Sequence, residues 1–147
     1  MSFPSDVWSL AIAIWDIIGM QPLFSGAFYS EDAVRCQMVD QLGPMPAEWF
    51  QKWPGRSNFF DEQGQPVDGR RPWPRIEQAF EDCVQSFRRQ DGMGVFCDEE
   101  SAAPLDLFRK MLAYRPEQRP MVQQILQSEW MSMWAKKDYE QSTRLDS

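Results

Sequence analysis

The sequence contains no histidine, and its three cysteines, Cys36, Cys83 and Cys97, form no CxxC pair. The absence of histidine excludes histidine metal ligands, Ser-His-Asp and Cys-His nucleophile systems, and histidine acid-base catalysis. An odd number of widely spaced cysteines fits reduced thiols better than a disulfide framework, which predicts an intracellular protein of the cytoplasm or nucleus. We therefore expect no metal site and no histidine-dependent catalysis in this chain.

Positive charge is also scarce, because 15 Lys and Arg residues stand against 22 Asp and Glu residues, a formal net charge of -7. A nucleic-acid-binding surface needs a clustered excess of Lys and Arg, so no nucleic-acid partner is expected. An acidic surface would more readily attract a basic protein. The apolar runs are too short to span a bilayer, and no Lys or Arg precedes the first, so we expect neither a membrane partner nor a secretory signal.

The longest apolar stretch is residues 5–19, SDVWSLAIAIWDIIG, where hydrophobic side chains cover nearly every side of a helix. A helix of this kind belongs inside a protein. Ser5 and Asp6 suit its first turn, and Gly19 can close it. We predict a buried central helix over residues 5–18.

At 147 residues and 43% hydrophobic content, the chain suits one packed domain, which we place at residues 1–135. Residues 136–147 are polar and are predicted to be a frayed tail. The remaining periodicities predict an all-α fold of about five to six helices.

The second helix is predicted to start at Ser30 and to stop at Gly43, after a loop over residues 20–29. One buried stripe is expected along it, formed by Val34, Met38 and Leu42. An irregular insert from Pro54 to Pro74 follows, with a tight turn at Gly64. Three tryptophans of this region are expected in the core: Trp49, Trp53 and Trp73.

Two later helices carry apolar residues at helical spacing. The first is expected to bury Ile76, Phe80, Val84 and Phe87, and the second Leu105, Phe108, Met111 and Leu112. Pro120 suits the first position of a last helix, which is expected to bury Val122, Ile125 and Leu126.

The order of these elements resembles the C-terminal lobe of a eukaryotic serine/threonine protein kinase, from its helix F to its end. Residues 5–10, SDVWSL, are similar to the Asp-x-Trp-Ser-x-Gly signature of helix F, and residues 112–120, LAYRPEQRP, to the stretch carrying the family's late arginine. Residues 42–46, LGPMP, and the insert resemble the CMGC group, and residues 58–64, NFFDEQG, resemble SR-protein kinases and their fungal relatives.

The resemblance implies roles for particular residues. Asp6 and Arg119, with Trp8, match structural anchors of the kinase core: Asp6 binds the backbone of the catalytic loop, and Arg119 pairs with a glutamate that ends the activation segment. Ala13 and Ile17 match the floor of the hydrophobic stack under adenine. Possible contacts to a basic substrate are Asp16, Asp61 and Glu62.

The parts that perform phosphoryl transfer are missing from this chain. A kinase needs a Gly-rich loop, a phosphate-pairing Lys, catalytic Asp and Asn residues and a metal-binding Asp, and no such motif is present. The resemblance therefore implies that ATP and Mg²⁺ are cofactors of a longer parent, and that this chain is inactive alone. The N-terminal lobe and the catalytic loop would be its partners there, and without them apolar surface of the central helix would be exposed.

A second hypothesis remains open beside the kinase fragment. The alternative is a non-catalytic, kinase-like module that binds a basic, Arg-Ser-rich protein. The acidic balance and the long insert favour that alternative.

Overall fold

The computed structural model describes residues 3–25 and 30–145, with the side chain of residue 145 left out. Helices account for nearly all regular structure in these ranges, so the predicted all-α fold is confirmed; the described residues form one isolated antiparallel bridge, between Phe60 and Pro66. The predicted loop over residues 20–29 lies partly outside the described residues.

The helices are α1 (Phe3–Ile18), α2 (Glu31–Leu42), α3 (Ala47–Lys52), α4 (Ile76–Phe80), α5 (Ser86–Gln90), α6 (Asp98–Met111), α7 (Val122–Leu126) and α8 (Lys136–Leu145). A π-helical segment, Glu81–Gln85, joins α4 to α5, and a second, Met131–Ala135, leads into α8. Short 3-10 turns occupy Pro54–Asn58 and Pro116–Gln118.

The chain divides into two compact units. One comprises residues 1–14 and 88–147, and the other comprises residues 15–87. In the first unit the buried apolar residues include Val7, Leu107, Phe108, Met111 and Ile125. In the second they include Trp15, Trp53, Phe60, Phe80 and Val84.

Helix α1 is buried along one stripe only. Val7, Ala11, Ile14 and Trp15 are buried, whereas Leu10 is 40% exposed and Ile17 is 82% exposed. The expectation that the helix is buried on every side is therefore wrong. Leu10 and Ile17 thus leave apolar surface of this helix exposed.

Both ends of α2 form as the sequence predicts. Ser30 is the N-cap, and its Oγ accepts a hydrogen bond from the backbone N–H of Ala33 at 3.2 Å. Gly43 closes the helix at φ +102°, a conformation that favours glycine, and its N–H bonds the carbonyl of Val39 at 3.0 Å.

The predicted stripe of α2 is wrong, since Val34, Met38 and Leu42 are only half-buried. The buried residues are Cys36, Gln37 and Gln41. Gln37 is drawn inward by the backbone of Ser25, whose N–H donates to Oε1 at 3.0 Å and whose carbonyl accepts from Nε2 at 3.2 Å. These bonds satisfy a buried amide, so polar residues occupy an inward face that hydrophobic periodicity cannot reveal.

The insert after α3 is irregular, as expected, and it is pinned by aromatic rings. Trp53 and Phe60 are buried with Cys36, and Phe50 and Phe59 pack against them. Of the three tryptophans expected in the core, Trp53 is buried, Trp73 is half-buried and Trp49 is 40% exposed. The core prediction holds for Trp53 and is wrong for Trp49.

The later helices bury some of the residues that the sequence predicts to be buried. Ile76, Phe80 and Val84 are buried as predicted, and so are Phe108, Met111 and Leu112. Phe87 and Leu105 are half-buried.

The end of the chain departs further from expectation. The last predicted helix begins at Val122, two residues after the predicted start at Pro120. Of its three residues predicted to be buried, Ile125 is buried, whereas Val122 is 53% exposed and Leu126 is 62% exposed. The expected frayed tail is helical as far as residue 145, beyond which the chain lies outside the described residues.

Candidate functional site

The first candidate site is a clasp around the side chain of Arg119. Its Nε donates to the carbonyl of Ala113 at 2.8 Å, its Nη2 to the carbonyl of Tyr114 at 3.2 Å, and its Nη1 to the carbonyl of Pro4 at 2.7 Å. The guanidinium also lies 4.9 Å from the centroid of the Trp8 ring, in cation–π geometry. We call Pro4, Trp8, Ala113, Tyr114 and Arg119 the arginine clasp.

The sequence builds this clasp from two distant pieces. Pro4 and Trp8 lie in the first turns of α1, and Ala113, Tyr114 and Arg119 lie in the segment that follows α6. A planar guanidinium presents donors in a fixed fork, which suits several carbonyl oxygens at once. The clasp therefore fixes the start of α1 to that segment.

The guanidinium of Arg119 is neutralised only weakly. Burial lowers the pKa of Arg119, and the negative charge of Glu117 opposes that shift. Carbonyl oxygens solvate the charge without cancelling it, and a guanidinium stays protonated under any physiological condition. The clasp thus holds a cation that an additional carboxylate would stabilise.

The other kinase-like positions of α1 are open to solvent. Asp6 lies in the first turn with an exposed side chain, and Ala13, Asp16 and Ile17 are also exposed. Of the positions expected from the resemblance, only Trp8 and Arg119 are brought together in the arginine clasp. The clasp contains no nucleophile and no acid-base pair, so its chemistry is binding and support.

The second candidate site is a groove in the unit of residues 15–87. It has a volume of about 1190 Å³, which exceeds the roughly 300–1,000 Å³ of pockets that enclose small ligands. Its lining includes three aromatic rings, three prolines and four charged side chains: Phe50, Phe60, Trp73, Pro44, Pro66, Pro72, Asp40, Arg56, Glu62 and Arg75.

An ion pair between Asp40 and Arg70 supports one side of this groove. Arg70 donates from Nη1 and Nη2 to the two carboxylate oxygens of Asp40 at 2.6 and 3.0 Å, and from Nε to the carbonyl of Phe59 at 2.8 Å. It also lies 4.7 Å from the centroid of the Phe60 ring. The Asp40 carboxylate in turn accepts the backbone N–H of Trp73 at 3.0 Å. These bonds attach the insert to α2.

The two acidic residues predicted as substrate contacts have different surroundings. Asp61 Oδ1 accepts the backbone N–H groups of Gln63 and Gln65 at 2.9 and 2.8 Å, so it closes the tight turn predicted at Gly64. Glu62 is exposed and lines the groove. Asp16 is exposed on α1, in a different element from these two acids.

Sequence reasoning missed Asp40, Arg70 and Arg75. Asp40 and Arg70 are 30 residues apart, and no local pattern pairs them. The alternation of Gly, Pro and charged residues in the insert indicated irregular structure only. No sequence signal marked Asp40, because the inward face of α2 was itself not predictable from the sequence.

The described residues contain neither a metal-binding cluster nor a membrane-spanning helix. Within residues 3–25 and 30–145, no group of three or more Cys, Asp or Glu side chains is placed to hold a metal ion. No helix in the described part of the chain has both the length and the apolar composition to cross a membrane.

The geometry thus defines a helical protein in which the two motifs of the kinase resemblance meet in one clasp. No family model matches the chain. It is similar to two proteins named serine/threonine protein kinase, from two strains of Aspergillus fumigatus, and each is 25% identical over 130 residues. The match covers 86% of this chain and 30% of each relative, so the chain spans about a third of the length of those relatives. This similarity supports a relationship to serine/threonine kinases.

Proposed function

We propose that this chain forms the helical C-terminal part of a serine/threonine protein kinase and acts there as the support of the catalytic loop. The observation that carries the proposal is the arginine clasp. Arg119 of one kinase-like motif donates a hydrogen bond to Pro4, which lies 115 residues away and directly before the other motif. An accidental resemblance gives no reason for the two motifs to meet.

In this role Asp6 accepts hydrogen bonds from the backbone of a catalytic loop. This role is supported by the exposure of the Asp6 carboxylate in the first turn of α1, where it is available to N–H donors. Arg119 keeps its carbonyl contacts and adds a glutamate of the activation segment, whose charge balances the guanidinium.

The exposed side of α1 gives a seat for apolar groups of the same kinase. Ala13 is exposed and Ile17 is 82% exposed, and both match positions under the adenine stack. Leu10, which is 40% exposed, lies on the same side of the helix, and an exposed apolar patch of this kind favours contact with another segment or chain.

We further propose that the chain does not transfer phosphate by itself. The sequence carries none of the residues that cover, pair or position the phosphates of ATP. ATP and Mg²⁺ would then be held by other segments of the parent kinase.

The finer subtype that we propose is an SR-protein-kinase-like member of the CMGC group. The support is the position of the insert, directly after the two helices α2 and α3, and its aromatic anchor on Trp53 and Phe60. Asp16, exposed on α1, is the acidic side chain that we propose for contact with a basic substrate, because Asp61 bonds its own turn and Glu62 shares its groove with Arg56 and Arg75.

The test is a chimera in which this chain replaces the matching segment of an Aspergillus fumigatus relative. Asp6→Asn in the chimera should lower kcat by at least about tenfold, because the catalytic loop loses its charged acceptor. The matched control is Asp106→Asn, an exposed aspartate on α6 that pairs with exposed Lys110. Equal kcat values for the two folded variants would contradict the role of Asp6.

The alternative function, a non-catalytic module for a basic Arg-Ser-rich partner, has weaker support. One of its two acids, Asp61, is committed to its own turn, and Glu62 shares the groove with Arg56 and Arg75. Salt-sensitive binding of an Arg-Ser-rich peptide that is lost on Glu62→Lys would favour this alternative.

A further inference from the structure

The groove in the unit of residues 15–87 carries an excess of positive charge once its internal ion pair is accounted for. Four charged side chains line it: Asp40, Arg56, Glu62 and Arg75. Asp40 is neutralised by the bidentate bond from Arg70, and its side chain is only 3% exposed. The charges left to face a ligand are therefore two arginines and one glutamate.

The two arginines differ in how strongly the fold holds them. Arg56 Nη1 donates to the carbonyls of Gln51 and Trp53 at 3.0 and 3.4 Å, and its guanidinium lies 5.9 Å from the Phe50 ring centroid. Arg75 is exposed, and within residues 3–25 and 30–145 its guanidinium has no hydrogen-bond or ion-pair partner. Arg75 is thus a cation at the groove whose donors remain available.

The rest of the lining suits an extended, partly apolar chain. Phe50, Phe60 and Trp73 offer aromatic rings, and Pro44, Pro66 and Pro72 lack backbone N–H donors. A ligand here would gain affinity from side-chain contacts and from the arginines, more than from added strand pairing.

The groove is also held in shape before any ligand binds. Arg70 attaches the insert to Asp40 of α2 and to the carbonyl of Phe59, and Trp73 N–H bonds the same carboxylate. A preformed site spends less binding free energy on ordering itself.

We propose that this groove docks an extended acidic peptide segment, one that places a bulky apolar side chain on the aromatic lining and flanking carboxylates on Arg75 and Arg56. A guanidinium binds a carboxylate through paired, charge-assisted hydrogen bonds, which gives both affinity and orientation. Glu62 opposes the ligand's charge and limits its affinity. The occupant is a protein segment opposite in charge to the basic partner expected from the chain's net charge of -7.

The proposal is tested with the full 147-residue chain and two fluorescein-labelled probes, Glu-Glu-Leu-Phe-Glu-Glu and its charge-reversed form Lys-Lys-Leu-Phe-Lys-Lys, by fluorescence anisotropy at low ionic strength. The acidic probe should bind more tightly, and added salt should weaken it. Tighter binding of the basic probe, or no saturable binding of the acidic one, would overturn the proposal.

A matched pair of variants locates the site. Arg75→Glu should weaken the affinity for the acidic probe by at least about fivefold. Arg71 is an exposed arginine nearby that does not line the groove, so Arg71→Glu should change this affinity less than about twofold. Glu62→Gln should strengthen binding. Equal effects of Arg75→Glu and Arg71→Glu would also overturn the proposal. Circular dichroism confirms that each variant is folded, and since no kinase activity is read, the result is independent of the proposed function.

Discussion

Arg119 donates a 2.7 Å hydrogen bond from Nη1 to the carbonyl oxygen of Pro4, which joins two residues 115 positions apart. The same side chain bonds Ala113 and Tyr114 and lies over the Trp8 ring. One residue therefore fixes the start of α1 within its unit.

Replacing Arg119 with lysine should destabilise the chain. Lysine keeps the charge but loses the planar fork, so at least two of the carbonyl bonds disappear, and the free energy of unfolding should fall by about 1–3 kcal/mol. Urea unfolding followed by circular dichroism measures the change. The same substitution at exposed Arg71 is the control and should stay within about 0.5 kcal/mol. Equal stability of the two variants would show that the clasp contributes nothing.

Arg70→Met should be among the most damaging changes in the insert. It leaves the carboxylate of Asp40, only 3% exposed, without its bidentate partner, and we expect a loss of about 2–4 kcal/mol in the free energy of unfolding. Tryptophan fluorescence in urea reports it, since Trp53 and Trp73 lie in the affected region. Arg71→Met, one residue away and exposed, should change stability by less than about 0.5 kcal/mol. A smaller loss for Arg70→Met than for its neighbour is incompatible with the structure.

The ends of α2 and the turn at Gly64 were predictable from sequence because they depend on local chemistry. Ser30, Gly43 and Asp61 each act on backbone groups within four residues. The inward face of α2 was not predictable, because Gln37 is buried by its bonds to Ser25, twelve residues before it. A buried amide reads as a surface residue in any hydrophobic pattern.

The candidate sites also contain some residues that the sequence predicts and others that it does not. Motif resemblance predicted Trp8 and Arg119, but it did not predict that Arg119 bonds Pro4, since a carbonyl acceptor carries no sequence signal. Asp40 and Arg70 pair across 30 residues, and only the folded insert brings them together. Long-range polar pairs of this kind depend on tertiary structure.

The three cysteines should differ in reactivity. Cys36 is buried, and burial together with the nearby Asp40 carboxylate raises the pKa of its thiol from 9.0 to about 11, whereas Cys97 is exposed. A thiol reagent at about pH 8 should label Cys97 in the native chain and Cys36 only after unfolding, because the thiolate is the reactive species. Mass spectrometry of the labelled peptides gives the order, and faster labelling of native Cys36 would be the contrary result.

The raised pKa of Cys36 also sets a pH dependence of stability. The folded state holds this proton more tightly than the unfolded state, so its contribution is complete below about pH 9 and is lost as pH rises toward about 11. Urea midpoints across that window should fall less steeply in Cys36→Ala than in the unchanged chain. Parallel curves would mean that Cys36 does not contribute.

Two isoleucines on α1 provide a matched test of its exposed side. Ile14 is 8% exposed and Ile17 is 82% exposed. Ile14→Glu should cost at least about 3 kcal/mol of stability by burying an unpaired carboxylate, whereas Ile17→Glu should cost less than about 0.5 kcal/mol. In the chimera with the Aspergillus relative, Ile17→Glu should nevertheless abolish most activity, since the proposed stack would cover it. Full activity of that variant would remove Ile17 from the proposed kinase core.

The most direct test of the central claim is the transfer of radiolabelled phosphate from ATP to a serine- and arginine-rich peptide, measured for the 147-residue chain alone and for the chimera. The account predicts no transfer by the chain alone and ATP-dependent transfer by the chimera. Transfer by the isolated chain, or none by a folded chimera when the intact relative is active in the same assay, would contradict it.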